Sequence, residues 1–377
     1  MDFRFSEEER AVSELARKIL EDQLGNERLK EIESQEPVFD ADVWRSLAES
    51  NLLGVAIPEE EGGMDLGFVA LCLLCHEVGR AVAPVPVYAS LVLGALPLAR
   101  FGSPEQREAW LPGILSGERL FTAALVELDS SDPMAPTTRA ESTSGGGYRL
   151  SGEKSLVPAA LQAERILVSA SLADGRVILA WLDRAAEGLS IENQGSSDRQ
   201  PHGHLALDGV EVSRADLLVG ADAREALRWL LDRATTARCA MQLGVVEKAL
   251  EMTSEYGRER IQFDRPIGSF QAFHQRAADA YISVEAVRLS TWEAAWLIAN
   301  DRPASEAVAV AKYWAAEGAQ FVAYACQHLH GGIGIDVDYP LHRHFIWATR
   351  IEHDLGSAPE QLEKLGTRIA RDGIPDF

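Results

Sequence analysis

The sequence predicts an α+β protein with helices at both ends and strands in the middle, and three observations carry that reading. Up to about residue 118, apolar residues recur at helical spacing. Between 119 and 218, short alternating runs are broken by Gly, Ser and Asp clusters. From about 222 the helical period returns in long stretches. The boundaries so drawn are an N-terminal helical domain over 1–118, a central β domain over 119–218 and a C-terminal helical bundle over 219–377. With 377 residues and 46% hydrophobic content, the chain can bury a large core in two or three such units.

Ser6 and Glu9 form a capping-box pair, and Val12, Leu15, Ala16, Ile19 and Leu20 fall on one face of the helix it opens. Asp40 caps a segment that buries Val43, Trp44 and Leu47, with Gly54 near its end. PEEEGGMDLG at 58–67 breaks the pattern, and apolar runs over about 66–83, 86–100 and 104–116 complete the first helical unit. LFTAALVE, GYRLSGEK, ERILVSA, RVILAWL, GLSIEN and HLALDGVEV then read as strands. TSGGGY at 143–148 is a hairpin turn, because no helix follows it and it lacks the GK[ST] ending of a phosphate loop. Helices follow near 222–260, 270–299, 304–328 and 358–371, the last with Ser357 as cap, Pro359 early and Glu360 as the capping-box acid.

Lys and Arg number 36 against 58 Asp and Glu, a net charge of -22, which opposes binding to nucleic acid or to an anionic membrane. The start, MDFRFSEEER, has no apolar signal core, and no apolar stretch is long enough to span a bilayer, so a cytoplasmic location is expected. Cys72 and Cys75 precede His76, but they sit in the apolar run LCLLCHEVG without a second ligand pair, and core packing is expected over a zinc or redox site. Cys239 and Cys326 read as buried small residues. His342 and His344 stand at a spacing that shares no helix face, and Trp292 and Trp296 at i, i+4 read as core or oligomer contact.

Two segments carry more specific information: RERIQFDRPIGSFQ at 258–271 and HLHGGIG at 328–334. With the α–β–α order, they resemble the acyl-CoA dehydrogenase family over essentially the whole chain, and the resemblance implies that family's fold. It also implies a FAD site whose ADP half is contacted by these segments of a neighbouring subunit. On this resemblance Arg260 suits the pyrophosphate, Gln262 and Gln271 offer amides, Phe263 an aromatic face, and Gly331 and Gly332 close backbone approach. Asp264 replaces the family's glycine and His328 its glutamine. The competing reading of Arg260 is an ion pair within its own helix; His330, ahead of the glycine pair, reads as structural.

Dehydrogenation across the α,β bond of an acyl thioester needs a carboxylate for the α-proton, donors for the enolate oxygen and an acceptor for the β-hydride. The family's glutamate precedes a glycine before the last helix, and in TRIEHDLGS the matching residue is Leu355, ahead of Gly356. The alternative base position on an earlier helix, in LDRATTARCAMQLG, falls at Ala234 and Thr235. Glu352 and Asp354 are displaced acids for which a solvated or capping role is expected. In LVELDSSD at 125–132, Val126 stands where the family has threonine; after Lys154, Leu156 and Pro158 replace a tryptophan and a threonine against the flavin ring.

The resemblance is nearest to the non-catalytic subunit of actinobacterial α2β2 enzymes that desaturate steroid side-chain CoA thioesters, including the initial MDF, FDRPIGSFQA and the leucine before Gly356. It implies a catalytic partner subunit that mainly holds the FAD, a bulky acyl-CoA substrate and an electron-transfer flavoprotein as acceptor. The alternatives are a homotetrameric flavoenzyme with a displaced acid and a flavin-free scaffold protein.

Overall fold

The computed structural model describes residues 4–130, 132–219 and 222–373; the initial MDF and Ser131 of the LVELDSSD segment lie outside the described residues. In chain order the first helices are α1 (Glu7–Gln23), α2 (Asn26–Glu33), α3 (Ala41–Glu49), α4 (Gly67–Arg80), α5 (Leu96–Phe101) and α6 (Pro104–Leu115). Seven strands follow: β1 (Phe121–Ala124), β2 (Arg139–Ser142), β3 (Tyr148–Pro158), β4 (Arg165–Ser171), β5 (Val177–Asp183), β6 (Leu189–Asn193) and β7 (His202–Val212). Then come α7 (Arg224–Glu259), the two-residue strands β8 (Ile261–Gln262) and β9 (Arg265–Pro266), α8 (Gln271–Ala299), α9 (Ser305–His330), α10 (Leu341–His353) and α11 (Ala358–Asp372). This is the α+β order expected, with helices on either side of a strand-rich middle. No helix among the described residues is long and apolar enough to cross a membrane.

By contacts the chain divides into two compact units, one of Met1–Lys30, Phe68–Ala83 and Thr235–Phe377, the other of Glu31–Gly67 and Pro84–Ala234. In the second unit, Asp40 Oδ1 accepts from the backbone N–H of Asp42 and Val43, and α3 buries Val43, Trp44 and Leu47. The run 86–100 begins as a π-helix, Tyr88–Ala95, buried throughout, before α5 takes over. The seven-stranded sheet runs in the order β1-β4-β2-β3-β7-β6, with β5 on β4. The β1/β4 and β2/β4 pairs are parallel and the others antiparallel. Alternating residues of β3, β4, β5 and β7, among them Leu150, Ile166, Val168, Leu205 and Val210, form its core. The expected turn at 143–147 closes the β2/β3 hairpin, with Thr143 N–H donating to Gly147 O.

In the first unit, the Ser6–Glu9 capping box opens α1, which buries Val12, Ala16 and Leu20; Leu15 stays 41% exposed at the edge of the expected face. Glu77 on α4 is buried and accepts from Arg17 at 2.8 Å and Ser13 at 2.7 Å of α1. Cys72, Cys75, Cys239 and Cys326 are all buried, and burial pushes the Cys75 thiol up to about 12. At the last helix, the Ser357 N–H and hydroxyl both donate to the Glu360 carboxylate, at 2.6 and 2.8 Å.

Candidate cofactor and catalytic site

The two glycine- and arginine-bearing segments are brought together by aromatic packing in the helical unit. Tyr256, in the last turn of α7, stacks on His330, the last residue of α9, with ring centroids 4.5 Å apart. The His330 Nδ1–H donates to Cys326 O at 2.9 Å, and its Nε2 accepts from the Tyr339 hydroxyl at 3.2 Å. Burial lowers its pKa, so the ring is a neutral post between two tyrosines, in line with the structural reading. One turn past Tyr256 comes Arg260, and immediately past His330 comes Gly331, so both segments emerge at one end of the bundle.

Beyond Arg260 the chain forms a tight hairpin that the hydrophobic pattern did not announce: Ile261 pairs with Pro266 and Gln262 with Arg265. Phe263 and Asp264 at its tip are both left-handed, with φ of 52° and 61°, which accounts for a glycine at the second position in the family and for tolerance of Asp there. Phe263 is 86% exposed at the tip, in edge contact with Phe270, over which Arg265 also lies at 4.1 Å. The hairpin seats on α7 through Gly268, whose added Cβ would come within 2.8 Å of Gly257 O.

Arg260, Gln262, Gln271 and His328 are exposed, and among the described residues their side chains form no hydrogen bond or ion pair. The structure therefore does not give Arg260 the intrahelical ion pair of the competing reading. Gly331 adopts φ 65° and ψ −141°, a conformation reserved for glycine, and a Cβ on Gly331 or Gly332 would meet nothing within 4 Å. A guanidinium fork without a partner among the described residues, spare amides and open glycine backbone fit an anionic dinucleotide half.

The β-sheet motifs are arranged differently. Glu127 and Lys154, retained beside the altered ring positions, form a buried ion pair at 2.6 Å. Glu127 also accepts from the N–H and hydroxyl of Thr138, and the Lys154 ammonium also donates to Ser169 at 3.1 Å. Burial alone would raise the Glu127 pKa, but Lys154 and the threonine donors bring it down to about 2. Next to this pair the β3/β7 register slips between Lys154 and Val157, and Leu156 is left-handed at φ 51°. The Leu156 N–H donates to Gln194 Oε1 at 2.7 Å, so an amide on the expected ring-facing segment is consumed within the chain. Gln194 escaped sequence reasoning, since nothing local marks a glutamine after β6 as a partner for β3. Val126 contributes its carbonyl to Ser155 N–H at 2.9 Å. Val126, Leu156 and Pro158 offer no polar or aromatic side chain to a flavin ring, and the Leu156 amide is already engaged, a poor fit to that group.

Leu355 lies between α10 and α11, left-handed at φ 57° and followed by Gly356 at φ 104°. Ala234 on α7 is fully buried and Thr235 nearly so. Of the solvated or capping role expected for the two nearby acids, capping holds for Asp354, the C-cap residue of α10 whose N–H donates to Ile351 O, but neither side chain is freely solvated. The Asp354 carboxylate is only 14% exposed; it contacts Arg238 of α7 at 3.0 Å and is bonded by Arg350 one turn back. Glu352, 12% exposed at its side chain, accepts from Gln320 at 2.9 Å, and burial raises its pKa. Beneath them the buried Lys312 ammonium donates to the carbonyls of Ile351 at 3.0 Å and Glu352 at 2.8 Å, and burial pulls its pKa down to about 8.

Two family models match the chain: the acyl-CoA dehydrogenase N-terminal domain over residues 6–118 and the acyl-CoA dehydrogenase C-terminal domain over residues 225–369. Acyl-CoA dehydrogenase FadE27 of Mycobacterium tuberculosis is 38% identical, over 98% of this chain and 99% of its own. Among solved structures, a variant of the Tcur3481-Tcur3483 steroid ACAD matches with 45% identity and a TM-score of 0.90, over 97% of this chain and 98% of that one. The ChsE4-ChsE5 complex from Mycobacterium tuberculosis contains a chain 37% identical, with a TM-score of 0.93 and full coverage of both chains.

Proposed function

The chain belongs to the acyl-CoA dehydrogenase family, and from that premise we propose that it is the non-catalytic subunit of a heteromeric member. In this reading a partner subunit supplies the glutamate base and the contacts to the flavin ring. This chain completes the partner's site through Arg260, Gln262, Phe263, Gln271, His328, Gly331 and Gly332, which would hold the ADP half of FAD. FAD, when bound, supplies the acceptor for the two electrons removed from the α,β bond of the acyl thioester. The observation that carries the reading is the contrast at the base positions. Leu355 and Ala234 bear no carboxylate, and the adjacent Asp354 carboxylate is already engaged by two arginines of its own chain.

The substrate class proposed is a bulky CoA thioester such as a steroid side chain, supported by the likeness to a steroid ACAD and to the ChsE4-ChsE5 complex. The proposed assembly is an α2β2 heterotetramer, and the proposed acceptor an electron-transfer flavoprotein. Purification of the chain with and without a family member that retains the glutamate, followed by flavin spectra and native mass, tests this. The chain alone is expected to be flavin-poor and inactive on acyl-CoA, and the complex to hold about one FAD per partner chain. A yellow, active homotetramer of this chain overturns the proposal.

One observation favours the rival, a self-sufficient enzyme with a displaced acid: the Glu352 pKa is raised by burial, as a general base requires. Under that reading Glu352→Gln abolishes turnover by the chain alone; under ours there is no turnover to lose.

A further inference from the structure

The turn that separates α10 from α11 is held from three sides. Asp354, at its start, is bonded by Arg350 of α10 and contacted at 3.0 Å by Arg238 of α7, and all three side chains are between 11% and 14% exposed. Lys312 of α9 donates to the carbonyls of Ile351 and Glu352 just before the turn. From the other side, the buried Gln361 amide of α11 donates to the carbonyls of Leu355 at 3.3 Å and Gly356 at 3.2 Å. Leu355 is thereby kept in a left-handed conformation that a leucine adopts only when its surroundings impose it.

The position of this clamp matters. Arg238 stands one helical turn after Ala234 and Thr235 on α7, and Asp354 directly precedes Leu355. The Arg238–Asp354 contact therefore joins the helix that carries one base position to the turn that carries the other. At the family's base position a thioester α-carbon would approach this turn, beside a desolvated ion cluster. Breaking such a cluster leaves charges buried and unpaired, which is strongly unfavourable.

We propose that Arg238, Asp354 and Arg350 form a lock that has replaced the catalytic corner of this subunit, fixing the 354–357 turn and keeping acyl-CoA out of this chain, so that substrate binds only on the partner. The proposal rests on the non-catalytic reading above and deepens it. These are positioning residues, because none of them is assigned a contact with substrate. The lock predicts that this chain discriminates against acyl-CoA by roughly a hundredfold or more relative to an unlocked form, the size expected for displacing a buried ion pair.

The test uses the full chain, in which acyl-CoA can be offered without turnover. Amide hydrogen exchange over residues 354–358 and calorimetric titration with octanoyl-CoA and a steroid side-chain acyl-CoA are recorded for the wild type, Asp354→Ala and Arg238→Met. Asp354→Asn serves as the variant that keeps the shape of the turn. The wild type is expected to exchange slowly and to show no thioester binding. Asp354→Ala and Arg238→Met should exchange at least about tenfold faster and bind thioester, with Asp354→Asn between. If Asp354→Ala does not fold, the order wild type, Asp354→Asn, Arg238→Met still decides. Stoichiometric thioester binding by the wild type overturns the lock, as do variants whose turn exchanges fast yet gain no thioester affinity, since the cluster then only supports the fold. Wild-type binding without turnover sinks the lock and leaves the non-catalytic reading standing, whereas wild-type turnover sinks that reading itself.

Discussion

In the sheet, Glu127 and Lys154 close on each other at 2.6 Å with almost no exposure, whereas at the shared end of α7 and α9 the Arg260 guanidinium and the amides of Gln262 and Gln271 face solvent without a partner among the described residues. Both regions lie in segments that the family resemblance associates with FAD. In the sheet Glu127 and Lys154 are used up tying the segment after β1 to the middle of β3, and Val126, Leu156 and Pro158, which the resemblance sets against the flavin ring, are apolar. At the helix ends, a built hairpin and an aromatic post hold Arg260, an exposed Phe263 and open glycines, and among the described residues the Arg260 guanidinium has no hydrogen-bond or ion-pair partner. A residue consumed by its own fold is conserved structure in the physical sense. One positioned and left exposed is open to a group outside the chain.

The largest effect expected from this comparison is on stability. Lys154→Ala strands the Glu127 carboxylate in the core, and Glu127→Ala strands the ammonium; either should cost about 3–5 kcal/mol in chemical denaturation. Arg260→Ala, in the same measurement, should stay within about 0.5 kcal/mol of wild type. Equal losses from the two would erase the distinction drawn here.

Acid titration sharpens the same point. Burial alone would raise the carboxyls of Glu127 and Glu77, but Lys154 in one case and His76 with Arg17 in the other hold each at about 2, below the ordinary 4.5. Between those values the unfolded chain binds more protons than the folded one, so the stabilisation is full above pH 4.5 and is lost as pH falls through about 2. Glu127→Gln should flatten that part of the stability–pH curve, measured by thermal melts across the range. A curve unchanged by Glu127→Gln would mean that the buried pair carries no linked proton.

Much of this scaffold was legible in the sequence because the signals are local. Ser6 with Glu9, Asp40 before Val43, and Ser357 with Glu360 are cap chemistry written within four residues, and all three helix starts stand where that chemistry puts them. Three elements were not legible. β2 buries only Ala140 of its four residues, too little for an alternating pattern. α10 buries Arg343 and His344 along with its apolar residues, which breaks the apolar period; His344 stays neutral there, its pKa pulled down to about 4 by burial. The β8/β9 hairpin is too short for any period. At the site, the segments around Arg260 and Gly331 were found by resemblance, but the partners that engage the groups near the base and ring positions, Arg238 for the Asp354 carboxylate and Gln194 for the Leu156 N–H, lie far away along the chain. Only the fold brings them in.

A smaller effect is expected where the open region meets its cofactor. Arg260→Ala should weaken FAD retention by the assembled heterotetramer by about 1–3 kcal/mol, the range for a charge-assisted hydrogen bond, read from the flavin that remains after dilution and gel filtration. Unchanged retention in a properly assembled complex assigns Arg260 to solvent, and the unpaired guanidinium then has no counterpart after all.

The smallest effect belongs to Asp264, where the family has glycine. Its backbone is left-handed at φ 61°, so glycine relieves local strain in the folded hairpin, but the unfolded chain gains freedom at the same position. These contributions oppose each other, and Asp264→Gly should leave stability within about 0.5 kcal/mol. Its charge is a separate matter. A carboxylate on the same hairpin as Arg260 opposes a diphosphate, and at an exposed site such an interaction is worth roughly 0.2–1 kcal/mol. Asp264→Gly should therefore improve FAD retention by the complex by about fivefold at most, and more at low salt than at high. An improvement that ignores salt would point to hairpin shape instead of charge, and a loss of retention would mean that the Asp264 carboxylate itself belongs to the site.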